Sequence, residues 1–176
     1  MTLKPLTLEN METVRKWRHE YRETLRTPYM LTEEMQADYY KNVICNRDSN
    51  TRYWGLWEMS ARHVDTLIGY GGLENISWEN GNAEISLLIG PEYQKQGYGR
   101  IAVGMFLYEA FFRMRLHSVH GECYSCGPAE FWMRLIQEQE HGTLLPDRKF
   151  WNGQYYDSFY FTFYESDYKR LIEARQ

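Results

Sequence analysis

The sequence predicts a mixed α/β (α+β) fold in which a central, mostly antiparallel sheet is flanked by helices. Three observations lead there. Apolar residues recur at helical spacing over residues 10–21, at a period of two in three stretches between residues 53 and 89, and at helical spacing again from Gly99. The links between the period-two stretches are short and turn-rich, which makes them antiparallel neighbours. Near the C-terminus, Asn152-Gly153 separates two extended stretches and is a strong hairpin signal.

The 176 residues suit one domain spanning 1–176, long enough to bury a single core. A hydrophobic fraction of 43% and an aromatic fraction of 16% are those of a globular chain rather than a disordered one. The formal charge of −4 gives no basic face for nucleic acid or an anionic membrane, and leans toward a cationic partner. Met1-Thr2-Leu3-Lys4-Pro5 has no apolar signal core and no stretch is long enough to span a bilayer, so a cytoplasmic protein is expected. Three cysteines are an odd number in a chain with its own core, and read as reduced thiols.

Taken in order, a short strand is expected at Leu3–Leu6. Thr7 and Asn10 are cap candidates for a first helix carrying Met11, Val14, Trp17 and Tyr21 on one face. A second helix is expected over Thr32–Asn42, with Thr32 as its cap and Glu33 and Glu34 in the first turn. Strands follow at Tyr53–Trp57, Thr66–Tyr70 and Ala83–Ile89, then a helix over Gly99–Met114 whose wide apolar face suits packing on a sheet. A strand at Leu116–Tyr124, a helix from about Pro128 to Glu138 and the terminal hairpin complete the series. In the last strand Phe159, Phe161 and Phe163 mark a core face. Tyr160, Tyr164 and their neighbours mark the other, with cleft wall, solvated face and homodimer contact as its open uses.

The stretch Gln94-Lys95-Gln96-Gly97-Tyr98-Gly99-Arg100 opens the third helix without a Ser, Thr, Asp or Asn cap. The first amides of a helix lack internal partners. Glycines there remove side-chain bulk at the positive end of the helix dipole, and Lys95 and Arg100 add cationic charge, so the loop reads as a phosphate or pyrophosphate cradle. A tight turn that merely uses glycine for positive φ is the bland alternative.

These residues match, at every constrained position, the Gln/Arg-x-x-Gly-x-Gly/Ala signature of the GNAT superfamily of N-acetyltransferases, which the chain resembles. The likeness extends to the branch of ribosomal-protein N-terminal, polyamine and amino-sugar acetyltransferases, through Trp17-Arg18, Ala83-Glu84-Ile85, Leu116-His117-Ser118-Val119 and Asn152-Gly153-Gln154-Tyr155-Tyr156-Asp157. The resemblance implies a splayed strand pair ending near Ile89 and Tyr124, acetyl-CoA as acyl donor in the gap, and direct transfer to a primary amine of a small molecule or a peptide N-terminus. It implies cofactor contacts at Leu88, Ile89, Gln94, Lys95, Gln96, Gly97, Tyr98, Gly99, Arg100 and Ser125. The backbone amides of Leu88 and Ile89 would align the thioester.

An attacking alkylamine must lose a proton at neutral pH, and a carboxylate is the usual acceptor. Glu84, which shares a strand face with Ser86, is the first candidate, and Glu74 the second. The family often protonates the departing thiolate with a tyrosine in the helix after the splayed strand. Here Trp132 stands at that position, with Ser125 at the usual asparagine and Pro128 at the usual alanine, which leaves Tyr124 or water as donor. That departure keeps open a binding module that holds the coenzyme without efficient transfer. Acceptor contacts are expected from Trp17, Arg18, Tyr29, Tyr39, Tyr155 and Tyr156.

Two rival motifs carry less. His117, His120, Cys123 and Cys126 are of zinc-ligand type, but residues three apart on a strand point to opposite faces, so no metal site is expected. Gly97 to Ala102 with Glu122 about twenty residues on fits a relaxed dinucleotide fingerprint. The preceding strands look antiparallel, however, and the chain has no room for two nucleotide-binding halves.

Overall fold

In the computed structural model, which describes residues 1–59, 65–136 and 141–173, seven strands form one sheet in the order β1-β2-β3-β4-β5-β7-β6. The strands are β1 (Thr2–Lys4), β2 (Arg52–Glu58), β3 (Thr66–Ser77), β4 (Asn82–Ile89), β5 (Ser118–Tyr124), β6 (Gly142–Trp151) and β7 (Gln154–Phe163). Every neighbouring pair is antiparallel except β4 and β5. The parallel pair is the one joined through a helix, as a crossover requires.

The helices are α1 (Asn10–Glu20), α2 (Glu33–Tyr39), α3 (Tyr98–Tyr108), α4 (Ala129–Ile136) and α5 (Glu165–Glu173). Helix α1 begins in a turn in which Asn10 and Met11 donate to the carbonyls of Thr7 and Leu8, and the Asn10 side chain reaches back to accept the Thr7 amide at 2.9 Å. The two cap candidates thus act on one another. Thr32 caps α2 as expected, accepting the Met35 amide at 3.1 Å. Helices α2 and α3 each run on into one π turn, over Tyr40–Ile44 and Glu109–Arg113. The fourth expected helix is described as far as Ile136, and its expected end at Glu138 lies outside the described residues. Helix α5 was not foreseen. It starts where the Asp167 carboxylate turns back to accept the Tyr164 amide at 2.7 Å.

Two cores lie on opposite faces of the sheet. On one, α1 buries Met11, Val14 and Trp17 against Tyr70 and Leu88. On the other, α3 and α4 bury Phe106, Leu107, Trp132 and Leu135 against Ile85, Val119, Phe161 and Phe163. Phe161 and Phe163 are core as their spacing predicts, with Phe159 partly buried beside them. No described helix is long and apolar enough to cross a membrane.

Candidate active site

The parallel pairing of β4 and β5 covers three rungs, Asn82 with Ser118, Ala83 with Val119 and Glu84 with His120. Beyond Glu84 the strands part, since β4 stays paired to β3 as far as Ile89 while β5 stays paired to β7 as far as Tyr124. A cleft of about 530 Å³ straddles this divergence, with Ser86 and Leu87 from one strand and Glu122 and Tyr124 from the other among its walls. The splayed pair therefore lies where the resemblance places it.

Hydrogen-bond parity decides which backbone groups of β4 face the gap. The Gly90 amide donates to the Ile68 carbonyl at 2.9 Å, and Tyr70 with Leu88 and Gly72 with Ser86 stand in the same register. Antiparallel residues alternate between bonding toward and away from a given neighbour, so Ser86, Leu88 and Gly90 bond toward β3. The Leu87 and Ile89 groups face the gap, where the Ile89 carbonyl accepts from Gln94 Nε2 at 3.2 Å. Of the two expected thioester donors, the Leu88 amide bonds toward β3, while the Ile89 amide faces the gap together with that of Leu87.

The glycine loop has the geometry of an anion cradle. Gly97 is left-handed at φ 86°, nothing lies within 4 Å of where a Cβ would sit, and no side chain caps α3. Lys95, also left-handed at φ 59°, and Arg100 are exposed, and neither forms an ion pair among the described residues. The first-turn amides of α3 are thus open to a diphosphate, which fits the coenzyme.

Other residues of the motif hold the loop itself. Gln94 and Gln96 donate their side-chain amides to the carbonyls of Ile89 and Glu92, the latter at 2.8 Å. The Tyr98 hydroxyl donates to the Glu58 carboxylate and so ties α3 to β2. A Cβ on Gly99 would meet the Phe131 ring at 3.1 Å, so that glycine admits α4. Ser125 is exposed, and its amide donates to the Asp157 carbonyl at 2.8 Å.

Three carboxylates line the cleft floor. Glu84 and Glu74 are Cα partners across β3 and β4. The Glu84 carboxylate is ion-paired with Arg26 and accepts from Asn75 Nδ2 at 3.0 Å. Asn75 reaches it from an irregularity in β3, where its own φ is 51°. Glu122 accepts from Arg26 at 3.0 Å and from the Ser158 hydroxyl at 2.7 Å. Flanked by two carboxylates, the Arg26 guanidinium has its proton affinity raised further. Glu74 accepts from the Tyr53 hydroxyl at 2.5 Å. Burial pushes the Glu74 carboxyl above the ordinary carboxylate range, and Glu84 beside it adds to the push, against the lowering from the Tyr53 bond.

Tyr124 faces the same cleft with Lys149 Nζ 5.0 Å from its ring centroid. Burial, then the Glu122 charge, raise its pKa, so its hydroxyl keeps its proton. Trp132 also lines the cleft, but its ring stacks on Phe161 at 4.9 Å as core.

Of the expected acceptor contacts, Arg18, Tyr29 and Tyr39 line the cleft. Arg18 is fixed there by bonds to the Tyr70 hydroxyl at 2.9 Å and Thr27 at 3.1 Å. Trp17 packs instead beneath Gly90, where a Cβ would meet its ring at 2.6 Å. Tyr155 and Tyr156 lie on the hairpin outside the cleft lining, Tyr155 against Phe150.

The four zinc-type residues diverge. His117 and His120 lie against Tyr164 and Tyr160, Cys123 is buried with its thiol toward the Phe159 carbonyl, and Cys126 bonds the Glu23 carbonyl at 3.2 Å. No group of three metal-type side chains gathers among the described residues. Sequence reasoning missed Arg26, Asn75 and Tyr53, and weighed Glu122 only as a ribose ligand. The alternation of His120, Glu122 and Tyr124 opposite buried Val119 and Cys123 was a signal for Glu122. Arg26 lies in a loop without periodicity.

Comparison with known proteins agrees with this geometry. Residues 1–126 match the family described as the acetyltransferase (GNAT) domain. No curated protein sequence matches the chain. Among solved structures, spermidine N-acetyltransferase from Vibrio cholerae in complex with CoA and spermine superposes with a TM-score of 0.79 at 22% identity, covering 96% of this chain and 97% of that one. A dodecameric form of the same enzyme gives 0.76 at 22% identity over 95% of each chain. With a matched domain covering residues 1–126, the chain belongs to the GNAT acetyltransferase family and is an acetyl-CoA-dependent N-acetyltransferase.

Proposed function

We propose that this protein transfers the acetyl group of acetyl-CoA to a primary amine, of a small molecule or a peptide, by direct attack in the cleft where β4 and β5 part. The observation that carries this is the carboxylate floor at the divergence, Glu74, Glu84 and Glu122, beside gap-facing backbone amides. The superposed V. cholerae enzyme supports an amine acceptor, being in complex with spermine as well as CoA.

Acetyl-CoA supplies an acyl group activated as a thioester. The first-turn amides of α3 with Gly97, and the charges of Lys95 and Arg100, hold its diphosphate. The Leu87 and Ile89 amides, which face the gap, would favour the negative charge that gathers on the thioester oxygen. Glu74 removes the proton from the attacking amine. Of the two sequence candidates, Glu84 has one carboxylate oxygen on Arg26 and the other on Asn75, which leaves it less free to meet the amine. Glu74 has a raised pKa closer to neutrality, where proton transfer is most effective. Glu84 and Glu122 then position Arg26 and shape the acceptor pocket. Tyr124, kept protonated, gives its hydroxyl proton to the departing thiolate.

The test is cofactor-dependent thiol release over a panel of amines, with acetyl-CoA binding followed separately by calorimetry. The expected result is binding together with amine-dependent turnover. Binding without product from any amine would instead indicate a coenzyme-holding module, and no binding would remove the cradle.

A further inference from the structure

The acceptor cleft is built from two unlike surfaces. Its floor, on the sheet, is polar: Glu74, Glu84 and Glu122 with Tyr53, Tyr70 and Tyr124. Its roof, contributed by α1, α2 and the segment between them, presents Leu25, Tyr29, Leu31, Met35 and Ile44. Tyr29 and Met35 are 58% and 49% exposed. Large apolar side chains held open at the mouth of a cleft leave apolar surface for a ligand to cover.

Where the roof lines the cleft, its charges are all of one sign. Among the described residues lining the cleft, it contributes the guanidiniums of Arg18 and Arg26 and no carboxylate. Two of the three floor carboxylates, Glu84 and Glu122, already share Arg26. A first ammonium can reach the floor, but a second along the same chain would meet guanidinium and thioether rather than an anion. Like charge at close range penalises such a ligand, and an unpaired charge on an apolar roof adds a desolvation cost.

We infer that the acceptor is a primary monoamine carried on an apolar or aromatic body, with the amine on the acidic floor and the body under the Tyr29–Met35 roof. This rests on the amine-transfer reading above and narrows it. Such a preference would set the protein apart from its superposed neighbour, a spermidine N-acetyltransferase in complex with spermine.

The experiment compares kcat/KM at saturating acetyl-CoA for 2-phenylethylamine, hexylamine, 1,4-diaminobutane and spermidine. The two monoamines are expected to exceed spermidine by at least about tenfold, the discrimination a few apolar contacts supply. Met35→Glu puts a carboxylate into the roof and is expected to shrink or invert that ratio with the acetyl-CoA KM unchanged, while Met35→Leu preserves it. Spermidine used as well as or better than the monoamines would overturn the inference, and so would a ratio indifferent to Met35→Glu. Product from none of the four amines, with acetyl-CoA still bound, would overturn this inference, while turnover of another amine in the wider panel would still uphold the transfer reading.

Discussion

Glu74 and Glu84 stand opposite one another across β3 and β4, yet their carboxylates keep different company: Tyr53 donates to the first, Arg26 and Asn75 to the second. Like charges facing each other across a ladder are unfavourable. Glu84 is paired with a cation while Glu74 meets a neutral hydroxyl, which relieves the conflict.

That division predicts the pH profile. Activity that needs the Glu74 carboxylate falls as pH drops through its folded pKa. Because burial raises that pKa, the acid limb lies at higher pH than for an exposed glutamate. Glu74→Gln is expected to lower kcat/KM by about a hundredfold and erase the limb. Glu84→Gln is expected to keep the limb and change mainly the acceptor KM. An acid limb that disappears in Glu84→Gln instead would return the base to Glu84.

The cradle predicts a charge effect. Gly97→Asp places a carboxylate where a diphosphate is expected, in space free of other protein atoms within 4 Å of the new Cβ. Calorimetry should show acetyl-CoA affinity reduced by at least about a hundredfold, beyond the roughly 1 kcal/mol of backbone strain expected from φ 86°. Affinity within a factor of two of the parent would move the coenzyme elsewhere.

For Tyr124 the expectation separates chemistry from binding. Tyr124→Phe keeps the ring against Lys149 and removes only the hydroxyl, so kcat should fall while the KM for acetyl-CoA holds. Since burial raises the tyrosine pKa, the parent should show no loss of this proton donor until pH exceeds the ordinary tyrosine value. Unchanged kcat would mean the thiolate leaves without help from this residue.

Trp132 is expected to matter for stability. At 7% exposure and stacked on Phe161, it fills core, and Trp132→Ala should lower unfolding stability by about 3–5 kcal/mol in urea titration. Trp132→Phe should recover much of the loss. A near-neutral Trp132→Ala would show that the ring is not packed as described.

Periodicity alone makes most of the framework readable. Alternation marks β7, whose Phe161 and Phe163 face is buried, β4 still reads as a strand although Ile85 and Leu88 meet cores on opposite faces, and the uncapped glycine loop identifies the start of α3 because backbone donors there have no local partner. Helix α5 escaped notice because its start is marked by Asp167 folding back on Tyr164, a contact three residues long with no apolar run beside it. The site was half legible. Glu74 and Glu84 could be picked out on strands, but the ion pair that distinguishes them comes from Arg26, 58 residues before Glu84 in the chain and in a loop whose position only the folded roof determines. That the Leu87 amide faces the gap and the Leu88 amide does not depends on ladder parity, which side-chain pattern does not reveal.

The three shared rungs between β4 and β5 make the sheet two ribbons hinged at one end rather than a single slab. Deuterium uptake along β4 should consequently follow an odd-even rhythm: slow at Ser86 and Leu88, whose protons are tied to β3, and fast at Leu87 and Ile89, whose protons look into open space. Loading the protein with its coenzyme should flatten that rhythm, turning a seam in the architecture into a direct reporter of occupancy.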